Sequence, residues 1–155
     1  MYLRMQPENL VNPEFFRRPG HLINRAARGM QRIAEAQLKP LGFSTGQLPV
    51  LGALRDGKKL SQKDLAAIAR IEQPTMAQIL GRMKRDGLIS VEPDPADKRG
   101  TLVSLAPLAY AGFPAVMKVL TEGNRRVLQG FSDDETATLV SLLDRLISNL
   151  EQIES

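Results

Sequence analysis

Residues 61–105 narrow the fold more than any other part of the chain. Two short helix-period stretches meet at a three-residue turn, and an alternating pair of segments joined by a charged turn follows at once. Ser61 opens the first stretch as an N-cap, with Asp64 in its acidic first turn. Leu65, Ile68 and Ala69 are its apolar face, and it ends near Arg70. Ile71-Glu72-Gln73 is the turn. Pro74 suits the first position of the next helix, because the N–H it lacks would have no partner there. The spacing predicts a recognition helix over 74–86, with Met76, Ile79, Leu80 and Met83 on one face and Thr75, Gln78, Arg82 and Arg85 on another. Gly87 stops it.

Leu88 to Glu92 reads as a strand and Thr101 to Leu105 as its return, with a turn-rich loop over 93–100 between them. Two short helices and a hairpin in this order make a winged helix-turn-helix. The side chains suit that reading. A helix fits the major groove, where Gln and Arg pair bidentately with adenine and guanine edges. Thr75 and Gln78 are therefore the base-edge candidates, and Arg82 and Arg85 the phosphate candidates. Ser61 and Gln62 sit where a helix N-terminus would meet a phosphate. Lys98 would touch phosphate and Arg99 would enter the minor groove. Asp97 or Asp94 would orient an arginine fork. The plainer alternatives are a solvated helix face, a simple helix cap and a turn arginine in a local ion pair.

The flanks are helical. Leu22, Ile23, Ala26, Ala27, Met30, Ile33, Ala34 and Leu38 recur at three- and four-residue steps from His21, until Pro40 and Gly42 end the helix. Ser44 with Gln47 is a capping box opening a second helix, with Pro49 bending its first turn and Gly57 stopping it. Before them, residues 1–20 carry Pro7, Pro13, Pro19 and Gly20 and read as an arm with one short helical turn. After the hairpin, Leu108 to about Gln129 reads as one long helix, interrupted by Gly112 and Pro114. Ser132 and Glu135 form another capping box. Leu139, Leu142, Leu143, Leu146, Ile147, Leu150 and Ile153 then make a long apolar stripe, for which a partner chain is the natural cover. The fold class is mainly α with a small β-hairpin wing. The chain reads as a single unit, 1–155, with a winged lobe over 41–105 and dimerisation helices in 1–40 and 106–155.

Composition excludes much else. With no Cys and one His, the chain cannot hold a thiol redox sensor, a Cys-ligated zinc or a His-rich metal cluster. No Gly-rich phosphate loop or nucleophile–base pair stands out, so no enzyme activity, cofactor or metal is expected. The net charge of +4 divides as +4 over residues 1–40, +3 over 41–100 and −3 over 101–155. A basic front suits a polyanion, although such a charge also serves solubility. The longest apolar run, Leu105 to Met117, has 13 residues with two prolines inside it, against roughly 20 for a membrane span. Residues 1–10 show no export signal, so a cytoplasmic location is the expectation.

These residues resemble the MarR/SlyA family of bacterial transcription regulators. The match rests on Ile71-Glu72-Gln73-Pro74-Thr75, on Leu88-Ile89 after Gly87, on Asp94-Pro95-Ala96-Asp97-Lys98-Arg99-Gly100 and Val103-Ser104-Leu105, and on Leu38-Lys39-Pro40-Leu41. It covers about His21 to Leu150. Leu105-Ala106 and Ala109 depart from the Leu-Thr and later Gly common in the family. The resemblance implies a homodimer that binds palindromic double-stranded DNA, usually represses, and lets go on binding a small, often aromatic and anionic, effector. It adds Gln73 to the DNA-contact set. Apart from the resemblance, His21, Arg25 and Arg28 near the start of the first helix read either as a solvated basic face or as an anion-binding rim where the two lobes meet, to which Tyr110 would add an aromatic wall. The alternative is a winged-helix protein-interaction module without DNA binding.

Overall fold

The computed structural model describes residues 13–154. The helices are α1 (Pro13–Phe16), α2 (Pro19–Leu38), α3 (Leu48–Leu54), α4 (Gln62–Ala69), α5 (Gln73–Arg85), α6 (Pro107–Val127) and α7 (Asp133–Glu154). The strands are β1 (Leu60–Ser61), β2 (Ile89–Asp94) and β3 (Asp97–Leu105). The fold is thus mostly helical with a small antiparallel sheet, ordered β1-β3-β2. Of the arm, Pro13–Phe16 is the helical turn, and residues 1–12 lie outside the described part.

Most helix ends follow the local chemistry. Pro19, Pro49 and Pro74 all fall in first turns, where a missing N–H costs nothing. Gly42, Gly57 and Gly87 take left-handed φ values of 81°, 76° and 74° where helices stop. The helix expected from Ser44 divides in two. A 3-10 turn, Thr45–Gln47, comes first, and α3 begins only at Leu48. Starting the α-helix one residue before Pro49 spares it the bend that an interior proline would impose.

The wing differs from its expected form. The loop over 93–100 is not a loop: β2 continues to Asp94 and β3 starts at Asp97, leaving Pro95 and Ala96 as the tip. Pro93 pairs with Thr101, and the register shifts between Pro93 and Asp94. Proline is tolerated because β2 is an edge strand, so no further strand needs its N–H. A third strand, β1, unexpected from the sequence, joins the hairpin: Leu60 pairs with Val103 and Ser61 with Leu102.

The described residues through Leu120 form one compact unit, and those from Thr121 a second. The core of the first unit is built from Leu38, Leu51, Leu54, Leu65, Met76 and Met83, all fully buried, with Val103 and Leu105 closing it from the sheet. Each such side chain contributes about 1.5–3 kcal/mol when fully buried. Phe43 is buried with them, and its ring leaves no room for a side chain at residue 112. A Cβ on Gly112 would lie 2.5 Å from Phe43 Cε2. In the second unit, Ser132 and Glu135 form the expected reciprocal cap: the Ser132 amide donates to Glu135 Oε2 at 2.8 Å, and the Glu135 amide donates to Ser132 Oγ at 3.1 Å. No described residue of α7 is buried, and Leu142, Leu143, Ile147, Leu150 and Ile153 are all exposed.

Candidate nucleic-acid interface

The interface begins with the way α5 is held. Met76 and Met83 are fully buried and Leu80 nearly so, which pins one face of α5 into the core. Thr75, Gln78, Arg82 and Arg85 are exposed. Arg82, Lys84 and Arg85 crowd the last turn, where cations also favour the negative end of the helix dipole. Arg85 Nε lies 3.3 Å from Asp86 Oδ1, an exposed pair of little energetic weight. Lys84 is a further exposed cation on this turn, one that the helical spacing does not place beside Gln78 and Arg82.

The entry to α4 is tightly arranged. Ser61 Oγ accepts from the Asp64 amide at 3.1 Å and donates to Asp64 Oδ2 at 2.6 Å, so its hydroxyl is occupied as a helix cap. Gln62 Nε2 donates to the Gln73 carbonyl over a long 3.5 Å, linking the start of α4 to the start of α5. Between these helices, Arg70 takes a left-handed φ of 51°, which turns the chain within three residues. Ser61, Gln62 and Gln73 are therefore brought together at one end of the helix pair.

At the wing tip, two aspartates hold backbone and not guanidinium. Asp94 Oδ1 accepts from the Ala96 amide at 2.8 Å, and Asp97 Oδ1 accepts from the Arg99 amide at 2.9 Å. These bonds shape the turn, which replaces the expected arginine fork. Gly100 permits the close approach: a Cβ there would stand 3.1 Å from Asp97 Cβ. Lys98 and Arg99 project as exposed cations from this fixed tip. At the other end of the sheet, Lys59 Nζ meets Glu92 Oε1 at 2.6 Å, joining the residue before β1 to β2. Opposite charges at 59 and 92 carry no signal until β1 is known to pair into the wing.

The candidate effector residues are placed separately. The His21 ring stands edge-on to Phe16, with centroids 4.7 Å apart. Tyr110 Oη donates to the Leu54 carbonyl over 3.5 Å. Arg28 borders an open groove of about 470 Å³ that is also lined by Gln31, Arg32, Glu35, Ala36 and Lys39. Of His21, Arg25, Arg28 and Tyr110, only Arg28 borders that groove. Within the groove, Glu35 Oε2 accepts from both the Thr45 amide and Thr45 Oγ1, each at 2.8 Å. The Thr45 amide, then its hydroxyl, hold the Glu35 carboxyl below the usual carboxylate range. Partial burial opposes this, and Lys39 adds to it. Sequence reasoning did not find this contact.

Among the described residues, no helix is long and apolar enough to cross a membrane, and no group of three or more potential ligands could hold a metal ion. Residues 41–100 match the family model described as "MarR family". The chain is 30% identical over 154 residues to the transcriptional activatory protein BadR of Rhodopseudomonas palustris, covering 94% of this chain and 82% of BadR. It is 26% identical over 132 residues to the HTH-type transcriptional repressor NicR of Pseudomonas putida, covering 85% of this chain and 84% of NicR. Among solved structures, Bordetella bronchiseptica BpsR, whose DNA binding is regulated by 6-hydroxynicotinic acid, superposes with a TM-score of 0.73 at 29% identity. That match covers 82% of this chain and 96% of BpsR.

Proposed function

The chain belongs to the MarR family of DNA-binding transcriptional regulators, and from that premise we propose a homodimeric repressor that reads a palindromic operator and leaves it on binding a small aromatic anion. The observation that carries the DNA reading is the division of α5. Three residues, Met76, Leu80 and Met83, anchor it, while Thr75, Gln78, Arg82 and Arg85 stay exposed beside a cationic wing tip. An anchored helix presents its polar face as a rigid unit, which sequence readout requires. Thr75 and Gln78 read base edges. Arg82, Arg85 and Lys98 meet phosphate, and Arg99 enters the minor groove. Ser61, Gln62 and Gln73 support the phosphate contacts at the helix entry.

Dimerisation is supported by the exposed apolar stripe of α7 and, separately, by exposed Leu22, Met30 and Ile33 on α2. Such faces are covered by a second copy of the chain in this reading, with α2, α6 and α7 as the dimer helices and 41–105 as the DNA lobe. Repression follows NicR, whereas BadR is an activator. The effector is suggested by BpsR and by the basic stretch of α2 that contains Arg25 and Arg28. The relatives are regulators, and no reaction is assigned to this chain.

Selection of bound genomic fragments, followed by gel shift of the recovered duplexes, tests the reading. We expect a shared inverted motif and a shift that collapses as salt rises. Failure to retain any duplex over random DNA would favour the alternative, a winged helix that binds protein.

A further inference from the structure

Resting on the reading just given, in which α2 belongs to the dimer and 41–105 to DNA, we infer that Glu35 is a positioning residue for DNA binding. Its carboxylate fixes the first turn of the winged lobe against α2 and so sets which half-site spacing the dimer accepts.

The geometry is specific. Glu35 lies in the last turn of α2, and Thr45 opens the 3-10 turn that leads into α3. Between them the chain rounds a corner through the Lys39–Leu41 turn and Gly42, whose φ is 81°. Across that corner Glu35 Oε2 accepts two bonds, from the amide and the hydroxyl of Thr45, both at 2.8 Å. The 3-10 turn does not need these bonds for its own closure. Gln47 Oε1 already accepts from the Ser44 amide at 3.1 Å, and the Gln47 amide donates to the Ser44 carbonyl at 3.1 Å. The Glu35 bonds are an additional tie between two elements. Bonds to an ionised carboxylate are also the stronger kind. Lys39, on the same face, favours the ionised form.

The tie reaches the recognition helix through rigid packing. Thr45 leads directly into α3, α3 packs on α4, and α4 packs on α5. Leu51, Leu54, Leu65 and Met76 bury that path completely. A lobe that pivots at the Gly42 corner therefore carries α5 with it. One base pair advances about 3.4 Å along the duplex, so a small pivot is enough to shift the spacing that suits two lobes at once. Phe43 and Leu38 keep the lobe attached; Glu35 decides its angle.

The test uses the full chain on its selected operator and on duplexes with one base pair added or removed between half-sites. The variants are Glu35→Ala, Glu35→Gln and Thr45→Val, with Thr45→Ser as the conservative control that keeps the hydroxyl. Wild type and Thr45→Ser should favour the selected spacing. In Glu35→Ala that preference should shrink by about tenfold, with smaller losses in Glu35→Gln and Thr45→Val. Discrimination at the base pair read by Gln78 should not change in any of them. Equal weakening on all spacings, with the preference intact, would mean that the bonds only stabilise the fold and would overturn the inference. If Glu35→Ala does not fold, Glu35→Gln and Thr45→Val decide, and an unchanged preference in both is equally fatal. A wild-type chain that binds no duplex, or binds as a monomer, fails the reading of function itself, and that outcome is separate from the variants.

Discussion

Gln78 and Arg99 are both exposed polar side chains, and in the proposed reading they would meet different parts of a duplex. Gln78 projects from an anchored helix, where an amide can pair with a base edge. Gln78→Ala should therefore cost about 1–3 kcal/mol of discrimination at one base pair, measured on operators randomised position by position. A profile identical to wild type would remove Gln78 from the readers. Arg99 extends from a tip whose backbone is held by Asp94 and Asp97. Arg99→Ala should weaken binding across sequences and lower the slope of log affinity against log salt by about one. An unchanged affinity across a salt series would return Arg99 to a turn residue. Glu35 makes a third residue-level prediction. Thr45 holds its carboxyl below the ordinary range, so its contribution to stability is present above about pH 4.5 and is lost as pH falls below that toward the lowered value. The Glu35→Gln protein should lose less stability than wild type over that acid interval, as read by denaturant unfolding at a series of pH values. Parallel curves for the two proteins would mean that the carboxylate contributes nothing by ionising.

At the level of elements, α6 shows how a glycine can be required for packing and not for a turn. Alanine at residue 112 would improve helix propensity by about 1 kcal/mol. It would also drive a methyl group to 2.5 Å from the buried Phe43 ring. Overpacking of that kind costs about 1–3 kcal/mol, so Gly112→Ala should lower the unfolding free energy. In contrast, Gly81→Ala on α5 meets nothing within 4 Å and should raise it by up to about 1 kcal/mol. Urea denaturation of both variants checks the pair, and a stabilised Gly112→Ala would show that Phe43 has room to move. Elements also differ in how far they could be read in advance. Helix α5 was legible because Met76, Leu80 and Met83 repeat at the helical period and Pro74 marks its start. Strand β1 was not, since two residues cannot display a period and exist as a strand only because β3 offers a pairing edge. The strand character of Pro93 was equally hidden, because it depends on β2 being at the edge of the sheet.

For the whole molecule, the exposed stripe on α7 makes a dimer the central architectural prediction. Sizing at micromolar concentration should give twice the chain mass. Leu143→Glu combined with Ile147→Glu should shift it to monomer and reduce operator affinity steeply, because two half-sites about one helical turn, roughly 34–36 Å, apart would no longer be engaged together. A double variant that remains dimeric would move the interface elsewhere. The amino-acid sequence by itself determined most of the helical segments and most of their stops, which side of α5 is anchored, and the family to which the chain belongs. Those features are set within a few residues, by side-chain period, proline placement and left-handed glycines. Only the tertiary structure decided that Glu35 ties α2 to Thr45, that Lys59 meets Glu92, that Gly112 makes room for Phe43, and that the wing has three strands. Each of these joins residues from different elements, and no local pattern encodes a contact whose two halves meet only once the chain between them has folded.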